Sequence, residues 1–281
     1  MPDHVLLAVH AHPDDECIGT GGSLARYGAE GVRTVLVTCT DGAVGEISDP
    51  KLATPDNLAE VRSRELDEAG RILGVSRLVK LGYRDSGMAG TADNQHPDSF
   101  LQCNFDEAVG KVVRVLREER PQVIVTYDEN GGYGHPDHIR SHQVAVAAFS
   151  AAADAAQFAD AGPAWAPLKL YYAVFPRSSQ SVFVERLRAA GIEPPFTEMS
   201  ETGARFGVSD DRVTTAIDVR AYVDRKRRAL EAHATQMGPD QFFMRLPPDL
   251  FSAAFSRETY QRVQGPTAAV GATESDLFSG L

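Results

Sequence analysis

Short apolar runs alternate with longer segments of helical periodicity through the first half of the chain. The run VLLAV near the N-terminus is typical of a buried strand, and residues 57–73 carry Leu58, Leu66 and Leu73 at helical spacing. Strands are predicted over 4–10, 33–39, 77–81 and 122–127, and helices over 19–30, 57–73, 106–119 and 137–158. This alternation predicts an α/β fold with a Rossmann-like, doubly wound, mostly parallel sheet and helices on both faces.

The second half of the chain continues the alternation less regularly. An Ala-, Gly- and Pro-rich connector at 159–167 is followed by predicted strands at 168–175 and 212–218 and a predicted helix at 219–235. We expect a smaller C-terminal α+β extension that completes the sheet and walls a substrate pocket. The expected division is a catalytic core over 1–158, the C-terminal part over 159–265, and a poorly ordered tail over 266–281.

Charge and cysteine usage narrow the class of protein. The 281 residues carry a formal net charge of −11, and an acidic surface repels phosphate backbones, so we expect no nucleic-acid partner. No run approaches eighteen apolar residues, so no membrane span or membrane partner is expected. Three cysteines without a C-x-x-C pair, and an N-terminus without a basic segment, favour a reduced, cytoplasmic protein. These features are compatible with a homo-oligomer as well as with a monomer.

Two loops rich in histidine and aspartate follow predicted strands. The first strand runs into residues 11–16, AHPDDE, and the fourth into residues 127–138, YDENGGYGHPDH. In open α/β sheets, ligands bind at the carboxyl ends of the strands, where the strand order reverses. In a 3-2-1-4 order the first and fourth strands are neighbours at that point, so both loops are expected in one crevice.

The residue types in these loops are those of a hydrolytic metal site. Two imidazoles and one carboxylate can hold a divalent ion with one open position, and we assign these ligands to His12, Asp15 and His138. Zn²⁺ suits this set, and Fe²⁺ suits it as well. Asp14, beside the ligand Asp15, is the candidate general base that takes a proton from water.

Hydrolysis of an amide also needs a proton for the leaving amine. His135 is the candidate acid, because histidine titrates near physiological pH. Asp137 can hold His135 in place, and Tyr133 can offer its hydroxyl to the oxyanion. The sequence therefore predicts a metal-dependent amide hydrolase.

The paired motifs His12-Pro13-Asp14-Asp15-Glu16 and His135-Pro136-Asp137-His138 resemble the LmbE-like superfamily, which includes N-acetylglucosaminyl-phosphatidylinositol de-N-acetylases. The resemblance is strong over residues 5–150 and weaker over 165–245. It implies zinc on the first histidine, second aspartate and last histidine of these motifs, and the first aspartate as the base.

Two branches of that superfamily share further sequence segments with this chain, including LGYRDSGM and LEAHATQM. One is the glucosaminyl-inositol deacetylase of mycothiol synthesis, and the other is the mycothiol S-conjugate amidase. The resemblance implies that Glu46, Asp85 and either Arg62 or Arg64 contact sugar or inositol hydroxyls, and that Gln236 closes over the pocket. We favour an amidase-like activity on a small glucosaminyl-inositol substrate, because the rear half of the chain resembles the amidase, and keep the deacetylase as the alternative.

Two functions of other classes compete with hydrolysis. A non-haem iron oxygenase also uses two histidines and a carboxylate, but its usual pattern is H-x-D, whereas His12 and Asp15 are spaced H-x-x-D. A non-catalytic sugar-binding module would not need the base Asp14. His142, one helical turn after His138, is a further candidate ligand, and His233 has the pattern of a structural histidine.

Overall fold

The computed structural model describes residues 4–194, 207–268 and 271–281. Within these residues seven strands form one sheet in the order β3-β2-β1-β4-β5-β7-β6. The strands are β1 (Val5–His10), β2 (Arg33–Thr40), β3 (Arg77–Tyr83), β4 (Val123–Tyr127), β5 (Lys169–Ala173), β6 (Thr215–Asp218) and β7 (Arg257–Gln264). Strands β1 to β5 are parallel, and β7 runs antiparallel to β5 and β6. The expected α/β class and the 3-2-1-4 order are confirmed.

Helices cover both faces of this sheet because its central strands are apolar on both sides. In β1, Leu6 and Ala8 belong to one hydrophobic cluster, while Leu7 and Val9 belong to the other. The longer helices are α2 (Gly21–Ala29), α3 (Leu58–Leu73), α4 (Phe105–Glu119), α6 (Pro136–Ala152), α7 (Arg177–Ala189), α8 (Val223–Ala232) and α10 (Pro248–Phe255). The shorter ones are α1 (Asp15–Gly19), α5 (Gly131–Gly134) and α9 (Phe242–Arg245). Helices α4 and α6 pack on one face, and α2, α3, α8 and α10 on the other.

None of the helices in the described ranges combines the length and the apolar character that crossing a membrane requires.

Several elements differ from the sequence prediction, among them α7 and α10, which it did not include. The helix expected at 19–30 is α2, and a short helix that was not predicted, α1, precedes it and ends at Gly19. Strand β7 was not predicted, because the inward position Glu258 breaks its apolar alternation. The Glu258 carboxylate is buried and lies 2.7 Å from Lys226 Nζ, and it accepts the backbone N–H groups of Gly22 and Ser23. A charge paired in this way can occupy a core position.

The end of the chain is packed, so the poorly ordered tail that we expected is wrong for residues 271–281. Leu277 is fully buried, and the ring of Phe278 stacks on His4 with 4.6 Å between ring centroids. Residues 195–206, within the part expected to wall the pocket, lie outside the described residues.

Candidate active site

The two histidine-rich loops meet at one edge of the sheet. Strand β1 ends at His10 and its parallel neighbour β4 ends at Tyr127. Helix α1 then begins at Asp15, and helix α6 begins at Pro136, a residue whose fixed φ suits the first helical position. The turn after β1 and the start of α6 therefore share one crevice, as the strand order predicted.

Three side-chain atoms of the predicted ligands form a nearly equilateral triangle in this crevice. His12 Nδ1 lies 3.2 Å from His138 Nε2, and Asp15 Oδ2 lies 3.3 Å from each of these nitrogens. Tetrahedral coordination with bonds of about 2.0–2.2 Å separates ligand atoms by roughly 3.3 Å. The spacing of the three atoms therefore fits a tetrahedral divalent metal with one open position, and a ring nitrogen of His135 lies within 4.8 Å of those of the two histidines.

The remaining nitrogen of each histidine is held by an acceptor. His12 Nε2 lies 3.2 Å from Asp137 Oδ2, and His138 Nδ1 lies 3.0 Å from the carbonyl oxygen of Gly131. Such contacts fix the tautomer and turn the other nitrogen toward a metal. Gly131 has φ of 62°, and a Cβ there would lie 2.6 Å from the Cβ of His138, so this approach requires glycine.

Asp137 has a different partner from the one that the sequence predicted. Its carboxylate contacts His12 and accepts the backbone N–H of Ser86 at 2.9 Å, whereas only its own backbone N–H reaches His135, at 3.1 Å from Nδ1. The first turn of α6 directs the Asp137 side chain across the crevice toward β1, away from the preceding residue. Asp137 therefore orients His12, not His135.

The charges around His12 favour a cation. Asp85 Oδ1 lies 3.6 Å from His12 Nε2, so three carboxylates surround this ring, those of Asp15, Asp85 and Asp137. Burial alone raises the pKa of Asp15, but the charges and hydrogen bonds of His138 and His12 outweigh it and hold the pKa well below its ordinary value. The carboxylate of Asp15 therefore stays ionised, the form that can bind a metal ion.

The surroundings of Asp14 shift its pKa in the opposite direction from that of its neighbour Asp15. Burial raises its pKa to about 6, although the Arg62 guanidinium, 3.1 Å from its Oδ2, opposes the shift. The backbone of Asp14 is left-handed, with φ of 109°, a strained conformation for a residue other than glycine. A carboxylate that titrates near neutrality is suited to general acid–base catalysis.

His135 does not match the protonated acid that the sequence predicted. Burial, followed by the charges of His12 and His138, lowers the pKa of His135 to about 4, so the ring is neutral at pH 7. Because Nδ1 accepts the N–H of Asp137, the neutral ring carries its proton on Nε2. His135 is thus a hydrogen-bond donor through Nε2.

The Tyr133 ring packs edge-on against His138, with 4.9 Å between ring centroids. Burial, followed by the charge of Asp15, raises the pKa of Tyr133 well above its ordinary value, so its hydroxyl stays a donor.

The predicted substrate-contacting residues separate into three groups. Asp85 lies inside the crevice beside His12. Arg62 is buried behind it, where it donates to the carbonyl oxygens of Pro13 and Gly42 as well as to Asp14. Arg64 is exposed and pairs with Glu60, so it lies outside the site, since it is on the solvent-facing side of α3.

Glu46 and Gln236 lie against each other at the rim. The Glu46 side chain is exposed, and its backbone carbonyl accepts the Gln236 amide at 2.8 Å. Gln236 therefore fastens the 42–46 loop, and this contact agrees with a residue at the closure of the pocket.

Tyr127 has a role in the site that its sequence context did not predict. Its hydroxyl donates to Asp15 Oδ2 at 2.8 Å and accepts the backbone N–H of Ala11 at 2.8 Å, so it fixes the turn that carries the metal-ligand candidates. Its position as the last residue of β4 was the available signal. His142 contacts the carbonyl oxygen of Tyr127 at 2.9 Å, in agreement with a structural role.

Known proteins resemble this chain in sequence and in fold. Residues 7–149 match the family model described as PIG-L, GlcNAc-PI de-N-acetylase. The chain is similar to the 1D-myo-inositol 2-acetamido-2-deoxy-alpha-D-glucopyranoside deacetylase of Geodermatophilus obscurus, at 46% identity over 100% of this chain and 99% of the relative. The first deacetylase of that name from Catenulispora acidiphila is 45% identical over 98% of this chain and 89% of the relative.

Among solved structures, the N,N'-diacetylchitobiose deacetylase from Pyrococcus horikoshii has the same fold, with a TM-score of 0.66 and 20% identity over 93% of this chain and 84% of that chain. The expected class of enzyme, one that hydrolyses an amide bond, is confirmed. The chain belongs to the PIG-L family of GlcNAc-PI de-N-acetylases.

Proposed function

We propose that this enzyme removes the acetyl group from an N-acetylated glucosamine linked to inositol, which releases acetate and a free amine. One observation carries the proposal: the triangle formed by His12, Asp15 and His138 lies beside Asp14, a carboxyl whose pKa is raised to about 6. Metal-dependent deacylation needs this combination of a ligand set and an adjacent base.

The choice of substrate rests on the relatives. Two of them, similar over nearly the whole chain, are named as deacetylases of 2-acetamido-2-deoxy-glucopyranosyl inositol, and this favours the deacetylase over the amidase that we first preferred. Asp85 and the rim residue Glu46 are hydrogen-bonding groups suited to hydroxyl-rich rings. A site built to bond hydroxyls rejects analogues that lack them by large factors.

We assign the metal to Zn²⁺, held by His12, Asp15 and His138, because two imidazoles and one carboxylate are a common catalytic zinc set. When bound, the ion would supply a Lewis acid that polarises the amide carbonyl and makes water more acidic. The neighbouring carboxylates of Asp15, Asp85 and Asp137 make this crevice electrostatically favourable for a divalent cation.

The residues of the chain itself supply the proton transfers. Asp14 takes a proton from the attacking water, and with a pKa of about 6 it can return that proton to the leaving amine. Arg62 holds the Asp14 carboxylate in place. His135, through Nε2–H, and Tyr133, through its hydroxyl, are the donors for the oxygen that develops negative charge.

The test compares two substrates on the zinc-loaded enzyme, N-acetyl-glucosaminyl-inositol and a mycothiol S-conjugate, with the released amine as the readout. We expect kcat/KM for the acetyl compound to be higher by a factor of a hundred or more. A preference for the conjugate would favour the amidase instead. Chelation should abolish turnover and Zn²⁺ should restore it, while active protein without any transition metal would contradict the assigned ligand set.

A further inference from the structure

Two buried ionisable side chains, Glu16 and His233, are joined to the backbone of Asp14 by hydrogen bonds. Glu16 and His233 are both fully buried, and His233 Nε2 lies 2.7 Å from Glu16 Oε1. The other oxygen of Glu16 accepts the backbone N–H of Asp14 at 3.0 Å. One carboxylate thus joins the peptide of the base to a histidine 217 residues away in the sequence.

The hydrogen bond from the Asp14 N–H to Glu16 holds a residue whose backbone is strained. The left-handed backbone of Asp14 is unfavourable for a residue with a Cβ, and such strain persists only where surrounding contacts hold it. Glu16 Oε2 accepts the N–H of Asp14 in that conformation, while Arg62 donates to the Asp14 carboxylate. The peptide and the side chain of the base are therefore fixed by separate partners.

We propose that Glu16 and His233 are positioning residues that hold the general base Asp14 in its working orientation. Glu16 does this through the Asp14 peptide, and His233 does it by fixing the Glu16 carboxylate. This inference rests on the proposed deacetylase function, in which Asp14 is the base.

The same C-terminal segment also reaches the pocket wall. Two residues after His233, the carbonyl oxygen of Thr235 accepts the backbone N–H of Ser48 at 2.8 Å, and Gln236 donates to the carbonyl oxygen of Glu46. The turn that follows α8 therefore contacts two parts of the site. His233 holds the Glu16 carboxylate that accepts the Asp14 N–H, and the two residues Thr235 and Gln236 bind the 46–48 loop. Orientation of the base and closure of the pocket depend on one segment.

The first test replaces Glu16 by glutamine and compares it with Glu258→Gln. Both carboxylates are buried and accept backbone N–H groups, but Glu258 contacts α2 and Lys226 and does not touch Asp14. In Glu16→Gln the amide cannot accept from both Asp14 and His233. We expect kcat to fall roughly 10–100-fold, the scale of a misplaced catalytic group, with KM within threefold and one zinc per chain retained. Glu258→Gln should lower the melting temperature yet keep kcat per folded enzyme.

A double-mutant cycle separates positioning from general destabilisation. If Glu16 acts through Asp14, then Glu16→Gln should cost no further rate in an Asp14→Asn background, because the group it positions is already gone. An equal loss of kcat in both backgrounds would overturn the proposal. So would a Glu16→Gln enzyme with the kcat of the wild type.

The second partner gives an independent test that does not depend on the folding of Glu16→Gln. His233→Ala removes the imidazole donor to Glu16 and leaves the weaker thiol of Cys17, 3.0 Å from the same oxygen, whereas His233→Gln keeps an N–H donor. We therefore expect kcat to fall in the first variant and to recover in the second. Equal loss in both would overturn the role of His233. Wild-type turnover is measured first: no hydrolysis by the zinc-loaded wild type contradicts the proposed function, while turnover that none of these variants alters contradicts only the positioning role.

Discussion

Asp14 and Asp15 are adjacent residues of one type with opposite electrostatic properties. Asp15 faces His12 and His138, whose charges hold its pKa low despite burial, while burial of Asp14 raises its pKa to about 6. The difference arises because the left-handed turn at Asp14 directs the two side chains to different partners. Neighbouring carboxyls with separated pKa values are a common sign of divided roles in catalysis.

This division predicts different effects for matched substitutions. Asp14→Asn should retain zinc and lose roughly two to four orders of magnitude in kcat, the usual contribution of a general base. Asp15→Asn should lose zinc, because a neutral amide is a poor ligand. Elemental analysis and kcat on the same preparations make the comparison. An Asp14→Asn enzyme without zinc would reverse the two assignments.

The pKa of Asp14 also predicts the pH dependence of the reaction. A base works in its deprotonated form, and with a pKa of about 6 its active fraction falls about tenfold per unit below that pH. We expect log kcat to rise through pH 6 and level above it, measured from pH 4.5 to 8. His135→Gln should lower kcat but keep this limb, because the pKa of His135 is about 4. A wild-type kcat that stays constant from pH 4.5 to 8 would contradict the role of Asp14.

At the scale of elements, the site depends on close packing between loops. Arg62, from α3, fills the space beneath the 42–46 loop, and a Cβ at Gly45 would lie 2.5 Å from its Nη1 and 2.8 Å from Gln236 Oε1. The 85–91 loop contacts the same loop, since a Cβ at Gly87 would lie 3.3 Å from Val44 Cγ1. The two loops and α3 therefore form one packed wall.

Gly45→Ala tests this packing. The added methyl should displace Arg62 and Gln236 together, and we expect kcat/KM to fall on the order of tenfold, because small shifts of a catalytic group are costly. The control is Gly70→Ala in α3, where a Cβ would have its nearest neighbour at 3.9 Å and alanine favours the helix by about 1 kcal/mol. Steady-state kinetics and thermal unfolding of both variants separate the local effect from stability, and equal kinetics would contradict the packed wall.

The sequence predicted the elements whose signal is local. Strands β1, β2 and β4 are apolar runs, and the loops after β1 and β4 meet because a parallel order requires it. The roles of Arg62 and Asp137 were not predictable, since their partners lie 48 and 125 residues away in the chain. Strand β7 was missed for the same reason, because the lysine that neutralises its buried glutamate lies 32 residues away.

At the scale of the whole molecule, the C-terminal part extends the sheet of the core. Strands β5, β7 and β6 continue the sheet beyond β4. In the turn after α8, His233 contacts Glu16, which accepts the backbone N–H of Asp14. The packed end of the chain joins this extension through Glu274, whose carboxylate accepts the hydroxyls of Tyr171 and Thr215 at 3.0 and 3.1 Å. Arg262 Nη1 donates to its other oxygen at 2.6 Å.

This cluster predicts how stability depends on pH. Burial raises the pKa of Glu274, but the charge of the buried Lys169, 3.6 Å away, and the hydrogen bond from Tyr171 outweigh it, so the pKa lies below the ordinary value of 4.5. A carboxyl with a lowered pKa in the folded state stabilises the fold above its unfolded pKa and loses that contribution as pH falls.

We therefore expect Glu274→Gln to lower the free energy of unfolding at pH 7 by about 1–3 kcal/mol, the cost of leaving buried donors without their charged acceptor. The difference in melting temperature between this variant and the wild type should narrow as pH falls below about 4.5, because protonation removes the same charge from the wild type. Glu60→Gln is the control, since the exposed pair of Glu60 with Arg64 contributes under about 1 kcal/mol. Melting temperatures of the three proteins from pH 7 to pH 3.5 decide the matter, and a constant difference between Glu274→Gln and wild type across that range would show that the Glu274 charge does not hold the end of the chain.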